Sequence, residues 1–390
     1  MRIALSVLVF IAGFAVVFAT LGSVVRTLLL PRGVPARLAR LVFLSLRTAF
    51  RIRAGRRASY EKRDAIMALF GPVGLLSLLA VWLFLVQIGC AAMFWALGTN
   101  SVRDALTISG SSLFTLGFAL RSDSASIVLT FAEAAIGLIL LALLITYLPS
   151  LYAAFSRREA EVTKLEVRAG TPPSGVEMIE RAQNLDRLDR LVDVWQAWES
   201  WFVDVEETHT SFPALSFFRS PQPDHSWVTA AGAVLDGASL SASTVDQPRP
   251  LEAELSIRAG YLALRRISDF FSIPYDPDPR PDDPISITRA EFDEAYERLA
   301  AGDVPLKDQE QAWKDFAGWR VNYDPVLLAL ATLTMAPIAP WSSDRGPIKI
   351  PRPPLLRRTP RPGARRSVNL REMRREPAQR GGSAGGGSES

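Results

Sequence analysis

Apolar residues run nearly unbroken over positions 3–25, within 65–97 and from about 126 to 147; elsewhere apolar residues are interspersed with polar ones. Each run reaches the roughly 20 residues that a helix needs to cross the hydrocarbon layer of a bilayer. The second run has no charged residue, and Gly71-Pro72 marks where it enters from the interface; the third carries one charge, Glu133. The pattern therefore predicts three transmembrane helices. Downstream, Leu185, Leu188, Leu191, Val192, Trp195, Trp198, Phe202 and Val205 recur at helical spacing, which predicts an amphipathic helix over 185–205. Its tryptophans are expected in a core or a subunit contact. Further helices are predicted over 228–243, 251–271, 289–301 and 308–334, and the proline-rich stretch 274–284 is a loop. With no run of alternating strands, the expected fold class is an all-α membrane protein followed by a mainly α domain.

Charge divides the chain further. Residues 32–64 hold ten Arg and Lys against two acids, 170–342 hold fourteen basic against twenty-eight acidic residues, and 344–390 hold twelve against four. Positive residues collect on the cytoplasmic side of membrane proteins. The basic stretch between the first two runs is thus expected inside, which puts the N-terminus outside and the C-terminal region in the cytoplasm of a multi-pass cell-membrane protein. Cleavage of the first run as a signal peptide near Val17-Phe18-Ala19 would export that basic stretch, so a retained anchor is expected. Within the stretch, Leu38, Leu41, Val42, Leu46 and Phe50 lie among Arg37, Arg40, Arg47 and Arg51. That pattern suits a helix lying on anionic inner-leaflet lipids; a direct part in gating is the alternative.

The expected organisation is an anchor over 1–31, a basic amphipathic segment over 32–64, a membrane domain over 65–155 and a linker over 156–175, where Thr171-Pro172-Pro173-Ser174-Gly175 is the clearest signal. An acidic helical domain over 176–342 and a disordered Pro-, Arg-, Gly- and Ser-rich tail over 343–390 follow. Pro149 is expected to kink or stop the third span. The single cysteine, Cys90, excludes an internal disulfide framework.

Between the second and third runs, Ser101 and Asp104 have the spacing of a helix cap. The helix they start is too short to span and runs into Thr115-Leu116-Gly117-Phe118-Ala119. Non-helical backbone is tolerated at membrane depth only inside protein or along a water-filled path. A helix C-terminus carries partial negative charge, and successive carbonyls with a threonine hydroxyl can replace the hydration shell of a cation.

Residues 113–118, Leu-Phe-Thr-Leu-Gly-Phe, strongly resemble the filter signature of the potassium-channel family, in which Thr-Val-Gly-Tyr-Gly is commonest and Thr-Leu-Gly-Phe-Gly a variant. Asp104-Ala-Leu-Thr-Ile-Ser-Gly resembles that family's pore helix. Glu133 and Gly137 resemble the inner helix of its bacterial two-span members, and the resemblance covers about residues 65–155. It implies a re-entrant pore helix and filter, a homotetramer, and potassium as permeant ion with no other cofactor. Backbone carbonyls of Thr115, Leu116, Gly117, Phe118 and Ala119 would face the ion, and Glu133 and Gly137 would support or gate the pore. Glu133 either attracts cations or braces the pore helix; Gly137 is either a hinge or a close-packing point. Two positions depart from the family: its last filter glycine is Ala119 and the usual following acid is Leu120. A left-handed Ala119 would be strained by about 1 kcal/mol.

The acidic region contains neither a Gly-x-Gly-x-x-Gly turn nor a phosphate-cradling loop, and its partner is not legible. His209 with Glu206, and His225 with Asp224, have spacings that metal ligands use, but no second matching motif supports a site. No enzyme activity is expected, and nucleic acid is not an expected partner. A membrane-anchored scaffold or sensor that keeps the channel fold without conducting is the rival reading, with a membrane-tethered enzyme using His209 a remoter third.

Overall fold

The computed structural model describes residues 2–28, 37–54, 65–248 and 250–345. Most of the expected tail and both flanks of the basic stretch lie outside them. Among the described residues no strand forms, and Val245 and Leu306 make an isolated antiparallel bridge. Three helices are long and apolar enough to cross a membrane: α1 (Arg2–Leu28), α3 (Phe70–Ala96) and α5 (Ser124–Ala169). The amphipathic α2 (Arg37–Ala54) and the short α4 (Val102–Leu113) lie between them in sequence.

α1 packs along α3 through glycines. A Cβ on Gly13 would lie 2.5 Å from the Gly89 carbonyl oxygen, so the two backbones meet directly, as small residues allow in membrane helices. Val17, Thr20 and Val24 are buried in this contact, and the Trp82 indole donates to the Ser23 hydroxyl at 3.3 Å. α2 buries Ala39 and Phe43, with the Phe43 ring stacked on Phe217 and edge-on to Phe70. Arg40 donates to the Ser272 hydroxyl and Arg47 to the Thr332 carbonyl. One face of α2 therefore packs on protein, while Leu41 and Ile52 stay exposed.

α5 corrects two sequence expectations. It is 46 residues long, so Pro149 does not stop it, and it occupies 156–169, where a linker was expected. Proline removes one backbone donor; tertiary packing outweighs that loss. Leu151, Ala154, Arg158, Glu159, Val162, Leu165 and Ala169 form a buried stripe along the extension. The helix ends at Gly170, which has φ +77°.

The C-terminal domain comprises α6 (Gly175–Asn184), α7 (Leu191–Ser211), α8 (Trp227–Ser243), α9 (Leu251–Phe271), α10 (Arg289–Ala301), α11 (Gln309–Arg320) and α12 (Asp324–Thr334). Buried on nearly every side, α8 is the central helix, contacted by α6, α9, α11 and α12. The helix expected over 185–205 begins only at Leu191, because Asp186 adopts φ +54° and a 3-10 turn precedes it. The helix expected over 308–334 is two helices, since Pro325 starts a new first turn where its missing N–H is harmless. Trp195, Trp198 and Trp201 of α7 lie in the core. The fully buried Arg320 ties α8, α11 and α12 together through Asp236, Asp324 (2.8 Å) and the Trp341 carbonyl (2.6 Å). Burial alone would lower its pKa, but the Asp236 and Asp324 carboxylates outweigh that and push it up.

Candidate functional site

Ser101 caps α4, its hydroxyl accepting from the Asp104 amide at 3.1 Å. Twelve residues of helix rise roughly 18 Å, well short of a bilayer. α4 packs against both α3 and α5 and buries Ala105, Ile108, Ser109, Ser111, Ser112 and Leu113.

Two residues of α5, one helical turn apart, meet this face. Glu133 is fully buried, and its Oε1 accepts from the Ser109 hydroxyl at 2.5 Å. That hydroxyl also lies 3.0 Å from the Gln87 carbonyl of α3, and the Cys90 thiol sits beside the carboxyl. Gly137 faces the end of α4: a Cβ there would fall on the Leu113 carbonyl oxygen. Gly137 lies within unbroken helix and marks a close approach of α5 to α4. Ser126 and Thr130 share this face of α5 at i, i+4, i+7 with Glu133; their hydroxyl oxygens and Glu133 Oε2 are buried without a hydrogen-bond partner among the described residues.

The C-terminus of α4 closes in a Schellman cap. Thr115 takes the left-handed position at φ +54°; the Thr115 amide donates to the Ser112 carbonyl at 3.0 Å and the Leu116 amide to the Ser111 carbonyl at 2.8 Å. Gly117 is left-handed at φ +71°, which glycine adopts without steric cost. Ala119 departs from expectation. It has no positive φ, and its amide is held by the Ser111 hydroxyl at 3.0 Å, so the expected strain is absent. Phe114, Leu116, Phe118 and Leu120 project into the open, with Phe118 69% exposed. Asp123 then caps α5 by accepting from the Ser126 amide, and Arg121 pairs with it at 2.7 Å.

The predicted residues thus gather into one substructure: Thr115, Leu116, Gly117, Phe118 and Ala119 continue α4, while Glu133 and Gly137 pack behind it. Ser109 and Ser111, which hold Glu133 and the Ala119 amide, were not among the residues predicted for this substructure. Their only sequence signal was an unusual density of serine on a short helix. Gln87 and Cys90 face α4 and α5 and are packed.

Neither histidine joins this substructure. His209 is buried against the Trp227 ring and accepts from Arg158, and His225 lies 3.5 Å from Glu166. Among the described residues, no group of three or more His, Cys, Asp or Glu side chains is placed to hold a metal ion. No family model matches the chain, and neither does any curated protein or solved structure.

Proposed function

We propose that the chain is one subunit of a tetrameric cation channel of the potassium-channel kind, in which α4 is the pore helix and 115–119 the filter. The observation that carries this reading is the backbone after α4, with positive φ at alternate residues Thr115 and Gly117. Positive φ at alternate residues is a backbone pattern that can turn successive carbonyls toward one side. A short helix aiming its C-terminal end at that segment adds negative potential there. Each chain supplies one such segment, so a closed ring of carbonyls needs several copies. The apolar side chains left open at 114–120, together with Val128, Phe131 and Leu138 of α5, are the surface those copies would cover.

In this reading Glu133 braces the pore helix through Ser109, and Gly137 lets α5 press on its end. The basic segment supports a cytoplasmic C-terminal domain in the same reading. That domain's net charge of −14 over 170–342 would concentrate cations at the inner mouth.

A non-conducting scaffold with the same fold is the second reading, favoured by Ala119 and Leu120 standing where the resembling family has glycine and an acid. Reconstitution decides. Purified protein in liposomes should pass rubidium, with block by barium, and run as a tetramer in native mass measurement. A tetramer without flux establishes the scaffold; a monomer in lipid overturns both.

A further inference from the structure

Arg158 lies on the extension of α5 beyond its membrane-length portion, and it is only 1% exposed. Its guanidinium donates to the Leu215 carbonyl (2.8 Å), the Phe218 carbonyl (2.7 Å), Glu159 Oε1 (2.8 Å) and His209 Nε2 (3.1 Å). The Trp201 indole of α7 donates to the Arg158 carbonyl at 3.2 Å. The rigid fork of arginine suits several fixed acceptors at once, which the single ammonium of lysine cannot match.

The two carbonyls flank an aromatic pair that seats the start of α3. The Phe217 ring lies edge-on to Phe70 at 4.9 Å and stacks on Phe43 at 5.9 Å. The Phe218 ring sits so close to Gly71 that a Cβ there would come within 2.6 Å of it. Arg219, next in the chain, donates to the Thr334 and Met335 carbonyls at the end of α12. One turn, residues 213–219, thus touches the first turn of α3, the extension of α5 and the end of α12.

We infer that this turn, pinned by Arg158, is the mechanical link through which the C-terminal domain sets the spacing between the start of α3 and the extension of α5. α3 and α5 are also the two helices that hold α4, so a shift of the turn reaches the short helix from both sides. The consequence for conduction rests on the channel reading above; the link itself does not.

The test places spin labels at Leu69→Cys and Tyr152→Cys, two exposed positions at the ends concerned, on a Cys90→Ala background diluted with unlabelled chains. Arg158→Lys removes the fork; Phe218→Ala keeps the backbone carbonyl and every Arg158 bond but removes the ring from Gly71. Both variants should retain helical content while the label distance shifts or broadens by several ångströms. Rubidium flux in the same liposomes should change at least fivefold, with the preference for potassium over sodium unaltered. A wild-type distance distribution in folded Phe218→Ala and Arg158→Lys overturns the link; unchanged flux in a conducting protein whose distances have moved overturns its consequence for conduction. If the parent protein passes no ion, the channel reading falls, and the distance measurement alone decides the link.

Discussion

Ser109 of the short helix and Glu133 of the third long helix are 24 residues apart in sequence, and the hydroxyl of one donates to the carboxyl of the other over 2.5 Å. The bond joins a helix that cannot span a membrane to one that can. With the Gln87 carbonyl beside it, it fixes the rotation of α4 about its own axis, and so the direction in which 115–119 leaves its end.

Removing the carboxyl tests that role. Glu133→Ala should cost about 1–3 kcal/mol, the usual penalty when a buried polar group loses its partner. Glu133→Gln, which can still accept from Ser109, should recover most of it. Thermal unfolding midpoints in one detergent give the comparison, and an alanine variant as stable as the parent would exclude the brace.

Gly137→Ala should destabilise the fold by roughly 1–3 kcal/mol, the range for overpacking a close contact, because its methyl group meets a backbone carbonyl that has no rotamer to retreat into. Gly22 of α1 is the control. Nothing lies within 4 Å of a Cβ there, and Gly22→Ala should be neutral or stabilising by about 0.5–1 kcal/mol from helix propensity. Equal effects at the two glycines would show that helix flexibility, not packing, is what matters at Gly137.

The backbone after α4 makes opposite predictions for two neighbouring substitutions. Gly117→Ala forces a side chain into a left-handed residue, at about 1–2 kcal/mol per chain, and should cut rubidium flux at least tenfold. Ala119→Gly relieves no strain and should leave flux within about twofold of the parent. A tenfold gain in Ala119→Gly would show that Ala119 is the weak point its sequence position first suggested.

His209 offers a pH test outside the membrane segments. Burial, and then the Arg158 guanidinium beside it, hold its pKa well below the ordinary 6.5. The flanking Glu159 is engaged by Arg158, and His209 Nδ1 faces the Val205 carbonyl, so the neutral ring accepts at Nε2 and donates at Nδ1. With the folded pKa depressed, the unfolded chain binds the extra proton first as pH falls. This contribution to stability is complete above about pH 6.5 and is lost progressively below it. Unfolding midpoints of His209→Gln should fall less than those of the parent between about pH 6.5 and 5; parallel curves would place the imidazole in water.

Local signals survived folding where they were strong. The apolar runs became helices long enough to cross a membrane, and the bounds 251–271 and 289–301 recur as helix limits. The Ser101 cap was visible for the same local reason. Pro149 does not stop the helix, because the buried stripe from Leu151 to Ala169 outweighs a proline's local penalty. Asp186 moved a helix limit through a single backbone angle that spacing does not reveal, and Pro325 did so by starting a new first turn inside an apolar run.

Composition and periodicity alone determined the three long apolar helices, the short helix between the second and third, and the acidic helical domain, because each follows from burial or capping within one segment. Only the tertiary structure decided that Glu133 meets Ser109, that Gly137 meets Leu113, that Ala119 is unstrained and that Arg158 reaches the 213–219 turn. Those contacts join residues from separate helices, and which faces meet depends on how whole helices rotate and cross when they pack, which no single segment encodes.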